Sequence, residues 1–260
     1  MPSLSFSPRV HSMFPHVNAF TLLLRVISRK KSWKVFLGAS LMMACRLSQF
    51  VAFFLPLKIF ILMGSDRSPA YFGAGGEIDR TVILYSLIFF VPLAYTAFFI
   101  FGITSRRLID NHYSYLEMRR ALSLPELNMK VSRVNHGRVF KMLSDVMLTS
   151  VSILFALMLD AYSAAFWLSL LLLSTSIFGR TVVVAKDGDR LTWFKLHRKQ
   201  CIEYLVSANF IFVFVALGAQ LFFREIGIYE GMFLLLLSRL VFQALQQFTN
   251  EGIHLLKVIK

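Results

Sequence analysis

The sequence predicts an all-α, polytopic membrane protein with six transmembrane helices and both termini cytoplasmic. Three observations lead there. Hydrophobic residues fill 57% of the 260 positions and charged residues only 16%, whereas a soluble domain holds about 45–50% apolar and about 25% charged residues. Long apolar runs recur at Trp33–Met63, Thr81–Thr104, Val146–Phe178, Tyr204–Phe223 and Gly231–Phe248, and crossing ~30 Å of hydrocarbon takes ~20 helical residues. The charge is lopsided, 28 Lys+Arg against 14 Asp+Glu, and it gathers between the runs, as it does where basic segments stay on the cytoplasmic side. A soluble nucleic-acid binder can be this basic but not this apolar. A disordered basic tail is excluded for the same reason.

Residues 1–16 form a polar tail with three prolines and no secretory signal pattern, so the first apolar run is expected to stay as an anchor. In 17–32, Phe20, Leu23, Leu24 and Ile27 share one helical face beside a basic end. That pattern suits an amphipathic helix lying in the inner membrane surface. A ragged start to the first span is the alternative.

The third apolar run decides the span count. At 33 residues it would make a helix of roughly 50 Å, too long for one upright crossing. The segments on either side, Ser105–Asp145 and Gly179–Glu203, carry eight and six Lys/Arg. Both belong on the cytoplasmic face, so an even number of spans lies between them. The run is therefore a hairpin, split at Asp160–Ala161 and extended back toward Val139. The spans then read about 33–63, 81–104, 139–160, 161–180, 204–223 and 231–250, with a cytoplasmic tail over 251–260. Residues 1–34 carry six Lys/Arg and no acid, and Asp66, Glu77 and Asp79 mark the first outer loop.

Several chemistries lack their motifs. There is no G-x-x-x-x-G-K-[ST] phosphate loop and no G-x-S-x-G, so the chain is read as neither an ATPase nor a serine hydrolase. Cys45 and Cys201 form neither a disulfide framework nor a metal spacing. The histidines at 11, 16, 112, 136, 197 and 254 have no i, i+4 partners, so no metal site is expected and each reads as a surface or interface group. Thirteen of the 14 acids fall in loops or at span ends, and Asp110 has no evident partner.

Two cations lie deep within spans. Arg46 is about 20 Å along the first and Arg239 about 12 Å into the sixth, counted at 1.5 Å per residue. Intramembrane Arg is costly and normally faces a bundle interior or a wet cavity. Gln49 follows Arg46 by three residues, while Gln243 and Gln246 follow Arg239 by four and seven and share its face. One reading is a cationic stripe that meets an anionic substrate; the other is bonding within the bundle. Lys58, near an outer end, can snorkel. Gly38, Ser40 and Ala44 allow close helix approach.

The segment RRLIDNHYSYLEMRRALSLPELNMKVSRVNHGRVFKMLSDVM, from Arg106 to Met147, resembles the first intracellular loop of the type I ATP-binding cassette exporter transmembrane domain. Leu124-Pro125 matches that family's leucine-proline, Gly137 its glycine, and Lys141 to Val146, with Asp145, its returning helix. The stretch from Lys34 to Gly64 resembles the first span, and Gly218-Ala219 with Gly231 resembles the hairpin of spans five and six. The resemblance implies six long helices with cytoplasmic extensions and a dimer, homo- or heteromeric, in a bacterial inner membrane. It places a coupling segment within Glu126–Asn135. No nucleotide-binding domain follows the sixth span, so ATP is expected on a separate ATPase subunit and no cofactor on this chain. The second intracellular loop is shortened: its 25 residues, Gly179 to Glu203, can descend and return only ~18 Å.

Two functions follow as expectations. The first is a membrane subunit that exports an anionic lipid, lipid-linked sugar or polysaccharide. The second is a non-transporting scaffold or regulator of an envelope or polysaccharide-synthesis complex. A membrane enzyme is disfavoured by the lack of clustered acids or histidines. The bilayer is a partner in each case, and nucleic acid in none.

Overall fold

Apolar stretches of this length can satisfy their backbone groups in lipid only by internal hydrogen bonding, and every regular element described is helical. The structure, a computed structural model, describes residues 17, 20–21, 24, 32–64, 80–122, 133–182, 197–224 and 227–259. The helices are α1 (Ser32–Gly64), α2 (Arg80–Leu122), α3 (Arg133–Leu159), α4 (Ala161–Ile177), α5 (Arg198–Arg224) and α6 (Ile228–Ile259), with a π-helical turn at Phe178–Val182 after α4. All six are long and apolar enough to cross a membrane, which fits an integral membrane protein.

The hairpin deduced from charge is present. α3 stops at Leu159 and α4 starts at Ala161. Asp160 between them is extended (φ −152°, ψ 112°), and its carboxylate accepts from the backbone N–H groups of Tyr162 and Ser163. A helix start leaves unpaired N–H groups, and an Asp cap satisfies two of them here. Pro56 and Pro92 sit inside continuous helices. Several hydroxyls within the spans bond back to their own helix, as Thr96 does to the Pro92 carbonyl at 2.8 Å and Thr175 to Leu171 at 2.7 Å. Thr96 and Thr175 therefore enter an apolar segment without an unmet donor.

The chain divides into two compact units. One comprises Lys31–Leu148 and Ile226–Phe233. In it α1 packs along α2 and against α3. Gly38 is the contact that permits this: a Cβ there would lie 2.8 Å from the Phe140 ring and 3.1 Å from Leu108. Further along α1, the Cys45 thiol donates to the Phe98 carbonyl at 3.4 Å, and Gly102 leaves room for that sulfur. Phe50 and Phe54 both meet Phe233 edge-on, with centroids 5.7 and 5.3 Å away. Both cysteines are free thiols.

The other unit comprises Met1–Lys30, Thr149–Glu225 and Leu234–Lys260. Here α4 and α5 run antiparallel, tied by two polar rungs. Ser163 donates to Gln220 at 3.0 Å, and Asn209 donates to Ser174 at 2.6 Å. The rungs are 11 residues apart on each helix, about three turns, so both fall on one seam. Trp167, fully buried, fills the stretch of α4 between them. Among the residues read as an interfacial helix, Phe20 is buried and its ring lies edge-on to Phe248 of α6, with centroids 5.6 Å apart. It therefore packs on protein. Leu23 and Ile27 lie outside the described residues.

Candidate functional site

The α6 sequence turns polar on one side partway along its length. Its buried positions are Leu234, Leu237, Val241, Phe242, Ala244, Leu245 and Leu255, together with Ser238 and Thr249. Arg239, Gln243 and Gln247 are exposed. At 100° per residue these three span about 80° of the helix surface. Gln246, Asn250 and His254, half-buried, extend the same face. The stripe runs 15 residues from Arg239 to His254, about 22 Å. Arg239 makes no hydrogen bond or ion pair among the described residues. Large apolar side chains are exposed on other spans: α2 shows Tyr85, Phe89, Phe99 and Ile103, and α5 shows Ile211, Phe212, Phe214 and Val215. Such side chains suit contact with lipid tails. An Arg–Gln–Gln face does not.

Arg46 has a different setting. Its guanidinium donates to, and forms an ion pair with, Asp145 of α3. Asp145 is 1% exposed and Arg46 21%. Asp145 follows the start of α3 by 12 residues. It is therefore a buried helix-interior acid, not a loop or span-end group, and its charge neutralises that of Arg46. Gln49, one turn beyond Arg46, is exposed, as is Lys58.

The histidines correct another expectation. His112 of α2 and His136 of α3 are 2% and 0% exposed, with His112 Nδ1 2.9 Å from His136 Nε2. They are core groups. The ring centroids lie 5.2 Å apart, close to the 2.9 Å contact plus two imidazole radii of about 1.15 Å each, so each nitrogen points at the other. That is an N–H···N hydrogen bond between imidazoles in which one donates and one accepts; metal ligation would aim both at a third point. Phe140 packs on His136 at 4.8 Å and on His112 at 5.9 Å. Asp110 is two residues before His112, and its charge acts on His136, so it too has a setting that spacing did not show.

Of the coupling-loop residues, Asn135, Gly137 and Asp145 all lie within α3, while Leu124, Pro125 and Glu126 lie outside the described residues. Nothing packs where a Gly137 Cβ would sit, since no atom is within 4 Å of it. Gly137→Ala should therefore be neutral or raise stability by up to ~1 kcal/mol, the helix-propensity difference. A thermal melt of the purified variant checks this.

Sequence spacing had grouped Arg239, Gln243 and Gln246, and α6 does place them on one face. Gln247, Asn250 and His254 were missed, although continuing the same angular sweep finds them. Nothing in local spacing could have paired Arg46 with Asp145, 99 residues away. In comparisons with protein-family models, curated proteins and solved structures, nothing matches this chain.

Proposed function

We propose that the protein is the membrane subunit of an exporter-like transport system that handles an anionic lipid, lipid-linked sugar or polysaccharide, with ATP hydrolysis on a separate subunit. The observation that carries this reading is the exposed Arg239–Gln243–Gln247 stripe within an otherwise apolar membrane-length helix. A cation with amide neighbours at that depth needs an anion or water before it. The motif order over Arg106–Met147 adds support, as does α2, which continues 18 residues past Thr104, ~27 Å beyond the apolar run. In this reading both termini are cytoplasmic, the membrane is a bacterial inner membrane, and two membrane subunits act together.

Two observations favour the scaffold alternative. Asp145 already neutralises Arg46, and α5 starts only six residues before Tyr204, so little helix projects to receive an ATPase. Affinity purification from native membranes separates the two. Recovery of an ATPase whose turnover falls in an Arg239→Ala complex supports transport. Recovery only of envelope or polysaccharide-synthesis proteins, with no ATPase, supports the scaffold.

A further inference from the structure

Resting on the transport reading, we propose that the exposed stripe of α6 takes the phosphate of a membrane lipid head group, anchored by Arg239 and led there along Gln247 and Gln243. Arg239 is 11 residues from the start of α6 and 20 from its end, about 17 and 30 Å along the axis. An exposed arginine at that depth draws phosphate and water toward itself, because the bilayer deforms more cheaply than the charge is left bare.

Among the described residues no acid forms an ion pair with Arg239. Asp145, the buried acid of α3, is held by Arg46. Glu230, the acid nearest to Arg239 along α6 on its N-terminal side, is nine residues away and about 180° round the helix. A second copy is a poor cover for this face, because a two-fold axis there would set Arg239 against its own equivalent. Lipid phosphate fits on three counts. The planar guanidinium binds phosphate oxygens in pairs. The glutamines donate hydrogen bonds without adding charge, so they guide a head group without trapping it. Met232, Leu236 and Leu240, half-buried on the same side, offer acyl chains an apolar surface. Because the polar stripe ends at Arg239 and turns apolar at Leu236 and Met232, it loads a head group to mid-depth and does not carry it across.

The test uses full-length protein reconstituted with equal amounts of phosphatidylglycerol and the phosphate-free diglucosyldiacylglycerol, then stripped in detergent. Native mass spectrometry counts the lipids retained. Phosphatidylglycerol should be retained preferentially, and Arg239→Gln should weaken its retention about tenfold, the scale of one charge-assisted contact. Gln243→Leu should weaken it less, Arg239→Lys should retain part of it, and Lys58→Gln, a cation off the stripe, should change nothing. Equal retention of the glycolipid overturns the proposal, as does full displacement by inorganic phosphate or indifference to both Arg239→Gln and Gln243→Leu. If Arg239→Gln fails to insert, Arg239→Lys and Gln243→Leu carry the decision. The two readings fail separately: unchanged lipid retention with loss of ATPase coupling in Arg239→Ala sinks the lipid site alone. Arg239-dependent retention with no ATPase partner sinks the transport reading alone.

Discussion

Arg46→Ala will destabilise the unit that holds α1 and α3 by about 3–5 kcal/mol, while the joint change Arg46→Met with Asp145→Leu will recover most of that loss. Asp145 is 1% exposed, so removing Arg46 takes its paired cation away where water cannot replace it. Asp145→Ala should cost less, because the Arg46 side chain is 21% exposed and can turn its flexible stem toward a polar surface. Replacing both partners with apolar side chains removes two desolvation penalties along with one attraction. Thermal unfolding in detergent gives the ranking. The double variant also decides what Arg46 is for. If stability returns together with the ATPase coupling that the proposed transport reading expects, Arg46 braces the bundle. If stability returns and coupling does not, its charge meets substrate.

Gly38→Leu will be nearly as damaging. Even a Cβ at position 38 falls 2.8 Å from the Phe140 ring, inside any normal carbon contact. Phe140 is fully buried and braced by His136 and His112, so its ring has little room to yield. Gly38→Ala should cost about 1–3 kcal/mol as an overpacked core position. Leucine adds three carbons to the same gap and should force α1 away from α2 and α3. The expected result is loss of a monodisperse peak in size-exclusion chromatography for Gly38→Leu and a lowered melting temperature for Gly38→Ala. Gly137→Ala, in open space one turn before Phe140, is the matched control.

Much of the architecture was legible because it follows from properties that add residue by residue. Six helices and the break at Asp160 follow from apolar length and from the basic segments flanking the third run. Asp160 is legible twice, as the polar residue that splits a 33-residue run and as a good helix cap. The face shared by Arg239, Gln243 and Gln246 needs only the pitch of one helix. The site was less legible wherever two helices meet. His112 and His136 read as surface or interface groups because their partnership spans 24 residues of chain and two different helices. Arg46 stayed open between a substrate contact and bonding within the bundle because Asp145 was counted with the acids of loops and span ends.

Hydropathy and charge by themselves determined that this chain is helical, that its helices are of membrane length and where the hairpin turns, since the cost of placing a residue in lipid is local and largely additive. Only the tertiary structure decided which buried charge is already answered. Arg46 and Arg239 are alike in sequence, each a cation deep in an apolar run with glutamine nearby. Packing sets Asp145 against the first and leaves the second exposed, and the role of each turns on that contact, because in a medium that cannot solvate charge the nearest counter-charge outweighs everything the local sequence encodes.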